Sequence, residues 1–227
     1  MKPKIAVSLT PRTIDSTSAM MRKADLLGAD LAEVRLDYLN ATHKIHKIVQ
    51  NCRMPLIATF RSAKNGGARS STQEERVRIL KKAAEAGFHY VDVEVEMSDL
   101  NSLIDTLSGT GAKTITSYHN FTGTPPDIVL RKRLQQCQNS GATISKIVTT
   151  ARKLEDNLRL LDLIAKTNKK SKIVSFAMGK NGLSSRILSP IYGAAFTFAS
   201  LNERTLAAPG QISISRMRRI YDELRYT

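Results

Sequence analysis

Eight short runs of β-branched and apolar residues recur about every 25 to 30 positions along this chain, separated by stretches of helical period. The runs are Ile5 to Leu9, Leu31 to Leu36, Leu56 to Arg61, Tyr90 to Glu96, Thr114 to His119, Thr143 to Thr149, Lys172 to Met178 and Ala194 to Ala199. Between them, Ser16 to Leu27, Thr72 to Ala86, Leu154 to Lys166 and Ile212 to Leu224 carry helical periodicity. Thr72 is placed to cap its helix, and Glu74 and Glu75 sit in the first turn, where the helix dipole favours acids. Gly28, Gly87 and Gly141 fall where a helix must stop before the next strand. Eight βα units in 227 residues predict one α/β domain over residues 1–227, a compact (β/α)8 TIM barrel. A doubly wound open sheet shares the alternation, but the glycine fingerprint expected after its first strand is missing, and the strand count favours the barrel. No linker, low-complexity tract or second domain interrupts the pattern.

Composition narrows the class. A hydrophobic fraction of 41% and a charged fraction of 24% suit a globular chain with a sizeable core. No run of 18 or more apolar residues predicts a membrane span. The N-terminal apolar stretch is too short for a signal peptide and reads as a first strand. Cys52 and Cys137 lie far apart, which argues against a disulfide framework or a zinc site and makes the cytoplasm the default compartment. The net charge of +15 raises nucleic acid as a partner. The basic residues, however, are dispersed over helix faces (Lys81-Lys82, Arg131 to Arg133, Lys169-Lys170, Arg216 to Arg219), and Trp is absent. Stacking platforms are therefore scarce, and nucleic-acid binding is set aside as the main function.

Lys146 stands inside a strand-like run, where lysine is depleted and costly to bury. An exposed edge strand would explain it as a guard against aggregation. Amine chemistry explains it better once its surroundings are read. A desolvated lysine among other cations has a depressed pKa, and the free amine attacks a ketone or aldehyde to form a Schiff base. Alternation puts Glu33 with Arg35 on one strand face, Arg61 with Ile57 and Thr59, and His119 with Ser117. Asp92, Glu94 and Glu96 share a face opposite three valines. Glu33, Arg35, Arg61, Glu94, His119 and Lys146 all fall late in their strands, the end at which barrel enzymes carry their chemistry. One amine, one imidazole, carboxylates and at least two arginines suit a small hydroxylated keto acid. An iminium would acidify the neighbouring C–H, His119 would move the proton, and Glu94 or Glu33 would orient the imidazole. This reasoning reaches a Schiff-base lyase or a class I aldolase and leaves both open.

The motifs Glu33-Val34-Arg35-Leu36-Asp37, Thr59-Phe60-Arg61, Asp92-Val93-Glu94, Ser117-Tyr118-His119-Asn120-Phe121, Ser145-Lys146-Ile147, Ser185-Arg186 and Ala208-Pro209-Gly210-Gln211, taken in order, resemble the type I 3-dehydroquinate dehydratases. The resemblance implies a syn dehydration of 3-dehydroquinate to 3-dehydroshikimate with no metal or organic cofactor. It implies Lys146 as the imine-forming lysine, His119 as general acid/base and Glu94 as the acid that tunes it. Ser8, Glu33, Arg35, Arg61, Arg186 and Gln211 become substrate contacts, with Arg186 gripping the carboxylate and Gln211 on a loop that closes over the substrate. It also implies a homodimer. Ala207 departs from the pattern, which commonly has Ser or Thr two residues before the loop proline. One substrate hydrogen bond, worth about 1 kcal/mol, is then lost or supplied otherwise.

Other features carry less. His43 and His46 lack a visible third metal ligand and read as solvated helix residues. Gly179 to Gly182 lacks P-loop spacing and reads as a flexible loop before the eighth helix. Ser62 to Ser70 reads as a mobile loop over the site.

Overall fold

The computed structural model describes residues 2–50, 52–168, 170–204 and 206–226. Its eight strands are β1 (Ile5–Leu9), β2 (Leu31–Arg35), β3 (Leu56–Thr59), β4 (Tyr90–Glu94), β5 (Lys113–His119), β6 (Ile144–Thr150), β7 (Lys172–Met178) and β8 (Thr197–Ser200). They run parallel in the order β7-β6-β5-β4-β3-β2-β1-β8. The two end strands meet at the seam, where the Ala195 amide donates to Ile173 O at 2.8 Å. The sheet thus curls into a nearly closed (β/α)8 barrel. Its helices are α1 (Ile14–Leu26), α2 (His46–Gln50), α3 (Gln73–Glu85), α4 (Leu100–Gly109), α5 (Asp127–Asn139), α6 (Asp156–Ala165), α7 (Leu183–Leu188) and α8 (Ile214–Glu223).

Local chemistry sets the helix ends. Thr72 Oγ1 accepts from the Glu75 amide at 3.2 Å, as its position in the sequence requires. Thr13 and Ser16 form a reciprocal capping box on α1. Gly28, Gly87 and Gly141 all take positive φ at helix exits, a conformation that side chains with a Cβ resist.

Strand alternation separates two apolar layers. Outward residues such as Val7, Val34, Ala58, Val91 and Val93 pack with Met21, Ala24, Leu80 and Ala83 of the surrounding helices. Each large buried aliphatic side chain there contributes about 1.5–3 kcal/mol. Inward, Ala6, Leu31, Ile57, Ile115, Ile144, Val174 and Phe196 fill the barrel nearer the strand starts. Two residues further along the same faces, the inward side chains turn polar: Ser8, Glu33, Thr59, Asp92, Ser117 and Lys146, all buried. The apolar layer plugs the barrel and forms the floor beneath the polar one.

Two boundaries differ from the sequence reading in ways that matter. Strand β4 ends at Glu94, so Glu96 leaves the inner face and is exposed. The Gly179–Gly182 segment forms a 3-10 turn leading into α7, not α8.

Candidate active site

Lys146 lies on β6 between β5 and β7, so the edge-strand explanation does not apply. It is 4% exposed. Its Nζ sits 3.0 Å from Asp92 Oδ2 and 3.6 Å from Glu33 Oε1. It also lies 4.2 Å from the centre of the Phe198 ring. The expectation of an amine crowded by cations is thereby corrected. The nearest charges are two carboxylates, and Lys146 forms salt bridges with both.

Those two carboxylates differ in their other partners. Asp92 accepts from Ser117 Oγ at 2.6 Å and pairs with Arg61 Nη2 at 2.9 Å. Burial alone would raise its pKa, but Arg61, Lys146 and His119 together drive it far below the ordinary carboxylate range. Apart from its ion pair with Lys146, Glu33 has neutral partners among the described residues, accepting from Ser8 Oγ at 2.7 Å and Thr59 Oγ1 at 2.9 Å. Arg35 forms a two-pronged pair with Asp37 at 2.9 and 2.7 Å and donates to Gly66 O at 2.9 Å. Asp37 also accepts from the Ala68 amide at 2.9 Å. The glycine-rich segment after β3 is thus tied down at several points.

His119 closes β5, with Nδ1 buried and without a hydrogen-bond partner among the described residues. Its pKa lies well below 6.5. Burial is the main cause, the Arg61 and Lys146 charges add to it, and Asp92 opposes it. The imidazole is therefore neutral at physiological pH and able to accept a proton. The structure does not bring Glu94 to it. Glu94 Oε1 accepts from the Ser62 amide at 2.9 Å and Ser62 Oγ at 3.0 Å, and stands 3.8 Å from Arg61 Nη1. The physical reason is local: β4 ends at Glu94, and its carboxylate turns under the β3 loop to take up that loop's donors. The acid whose charge acts on His119 is Asp92.

Arg186, which lines the same cavity, is 1% exposed and packs over the Phe176 ring at 4.3 Å. Among the described residues its acceptors are Phe198 O at 3.4 Å and Pro209 O at 3.5 Å, and Nε has none. No carboxylate among the described residues pairs with it, and burial pushes its pKa down to about 9. The loop after β8 lies closed beside it. Gly179 N donates to Pro209 O at 3.1 Å, and a Cβ on Gly210 would come within 2.3 Å of Gly179 O. Gln211 is engaged within the protein: its Oε1 accepts from the Ala207 amide at 2.8 Å, and its Nε2 reaches Ser8 Oγ at 3.3 Å. Ser8, Glu33, Arg35, Arg61, His119, Lys146, Arg186 and Gln211 all line this cavity of about 170 Å³, and Glu94 does not.

The sequence pattern of the type I 3-dehydroquinases matches residues 5–226. The chain belongs to the type I 3-dehydroquinase family. A 3-dehydroquinate dehydratase of Dehalococcoides mccartyi is 39% identical over 199 residues, covering 88% of each chain. One of Pyrococcus abyssi is 33% identical, covering 90% of this chain and 92% of its own. Among solved structures, a type I dehydratase of Clostridium difficile with covalently modified comenic acid superposes with a TM-score of 0.87 at 25% identity, covering 100% of this chain and 93% of that one. The Aquifex aeolicus dehydratase does so with a TM-score of 0.81 at 28% identity, covering 97% and 98%. This type I 3-dehydroquinase is accordingly a hydro-lyase of the shikimate pathway acting on 3-dehydroquinate, which removes the aldolase alternative.

In the dehydroquinase cavity, sequence reasoning missed Asp92 as a contact of Lys146. The signal was present, because Asp92 lies on the inner face one alternation before Glu94. It also missed Asn65, Phe121, Phe176 and Phe198, which line the cavity. Phe176 and Phe198 lie within apolar strand runs, where nothing in the pattern separates a cavity wall from core. Among the described residues no cluster of three His, Cys, Asp or Glu side chains is arranged to hold a metal ion, and no helix is long and apolar enough to cross a membrane.

Proposed function

We propose that the chain converts 3-dehydroquinate to 3-dehydroshikimate by syn elimination through an imine between Lys146 and the C3 ketone, using no metal or organic cofactor. The observation that carries this reading is the unpaired guanidinium of Arg186 in the same cavity as the Lys146 amine. A buried cation without a counter-ion demands one, and a substrate carboxylate answers that demand. With the carboxylate on Arg186 and the ketone at Lys146, the iminium draws electrons from the C2–H bond. Neutral His119 takes that proton and returns it to the departing hydroxide, so that water leaves. Arg35, Arg61 and Ser8 complete the wall that orients the ring hydroxyls. Gln211 holds the loop after β8 through Ala207 N and Ser8. Glu94 acts at one remove, fixing Arg61 and the β3 loop. The covalently modified ligand of the Clostridium difficile structure supports a covalent route in this family.

The reading includes a cytoplasmic homodimer. Exposed Ile128 on α5, with Leu154 and Leu158 at α6, supplies apolar surface for it, and sedimentation equilibrium tests the oligomeric state. The chemistry is tested by borohydride reduction in the presence of 3-dehydroquinate followed by peptide mass mapping. The expected result is a mass gain on the peptide holding Lys146, abolished by Lys146→Ala. Ultraviolet-detected turnover without an adduct would refute the imine.

A further inference from the structure

We infer that Glu33 is the base that takes a proton from the Lys146 ammonium as the imine forms, and the acid that hands it to the oxygen leaving as water. The inference rests on the imine reading above. An ammonium has no lone pair, so the resting Lys146 must lose a proton before it attacks a ketone. Two carboxylates are within ion-pair range of its Nζ, Asp92 at 3.0 Å and Glu33 at 3.6 Å.

Their surroundings choose between them. Asp92 is held by a second cation, Arg61, and by Ser117 as well as by Lys146. Protonating it would leave the buried Arg61 without its nearest carboxylate, 2.9 Å away. Glu33 receives hydrogen bonds from the hydroxyls of Ser8 on β1 and Thr59 on β3, and both can turn to accept from a protonated carboxyl. Gln211, from the loop after β8, reaches Glu33 only through Ser8. Arg35 on β2 and Arg61 just beyond β3 act on Glu33 through charge alone, and each has its own acid partner, Asp37 or Asp92. Lys146 on β6 is the one cation that pairs with Glu33 within 4.0 Å among the described residues.

The step balances. The ammonium gives one proton to Glu33, and the amine attacks the carbonyl carbon while the carbonyl electrons move to oxygen. A second proton passes from nitrogen to that oxygen. Glu33 then returns the first proton as the C–O bond breaks. An iminium and one water result, with Glu33 ionised again and Asp92 left as the counter-ion.

The experiment measures the initial rate of cyanoborohydride-trapped adduct with 3-dehydroquinate across about pH 6 to 9, the range below the lysine pKa. Wild type should trap at a rate that varies little with pH. Glu33→Gln should trap at least about 10-fold more slowly at neutral pH, and its rate should climb about 10-fold per pH unit as bulk hydroxide deprotonates Lys146. Glu33→Gln trapping as fast as wild type, with turnover reduced, would overturn the proposal and leave Glu33 as a hydroxyl contact. No adduct in wild type would instead fail the imine reading itself. Should Glu33→Gln not fold, Glu33→Asp keeps an acceptor and should trap more slowly but with the flat wild-type profile. A steep pH rise in Glu33→Asp would overturn the proposal equally.

Discussion

Arg186→Met should make the protein more stable and nearly inactive. Arg186 is fully buried without a carboxylate partner among the described residues. A fall of its pKa from 12.5 to about 9 corresponds, at 1.36 kcal/mol per unit, to about 5 kcal/mol of unfavourable burial. The Phe176 ring returns about 2 kcal/mol of that through its face, and that contribution disappears with the charge. Met fills much of the same volume without strain. The net expectation is about 1–3 kcal/mol of added stability, which for a chain of this size raises Tm by roughly 3–10 °C. Catalysis moves the other way. Loss of a buried carboxylate grip costs about 3 kcal/mol, roughly 150-fold in kcat/KM. Scanning calorimetry and the near-ultraviolet enone assay read the two effects separately. A fall in Tm with kcat/KM unchanged would refute the reasoning, because Arg186 would then be holding the fold and not awaiting an anion.

Two further outcomes follow from the same geometry. Since burial, Arg61 and Lys146 all hold His119 below 6.5, protonation of the base should curtail kcat/KM only below that value; an acid limb centred at or above pH 6.5 would contradict the neutral imidazole. Ala207 lines the cavity, and Ala207→Ser should lower KM about 5-fold, the worth of one neutral hydrogen bond, whereas an unchanged or higher KM would count against a missing loop contact.

The strand alternation made the barrel and its inner faces readable, because period two fixes which side chains meet inside a closed sheet. It brought Glu33, Arg35, Arg61, His119 and Lys146 to one end of the barrel, where they line one cavity. It failed where a strand stops. Nothing in Val93-Glu94-Val95-Glu96 marks the end of pairing at Glu94, and there the chain leaves the alternation. Glu96 consequently turns to solvent, and Glu94 goes to Ser62 instead of His119. Pairing was equally hidden. Alternation puts Lys146, Asp92 and Glu33 in one layer, but only the barrel's register decides that acids, and not arginines, stand nearest the amine.

The charges of the cavity, taken together, specify the substrate's own charge. Arg35 is matched by Asp37, Arg61 by Asp92, and Lys146 by Asp92 and Glu33. Buried cations in other settings are neutralised in this way because an uncompensated one is costly. Among the described residues lining the cavity, Arg186 alone breaks the pattern, lying over Phe176, which in turn neighbours Phe198. One unanswered positive charge fits one carboxylate; a phosphate, at nearly two negative charges, would ask for more donors than Arg186 and the surrounding backbone offer. On the imine reading proposed above, the same asymmetry would orient the ligand. Its carboxylate would pair with Arg186 and its ketone would meet Lys146. The proton to be removed would then face an imidazole that burial and its cationic neighbours already keep neutral. Net charge over the whole chain, at +15, plays no part in this selection. On this reading the selection would be made by Arg186, the one cavity cation without a carboxylate partner among the described residues.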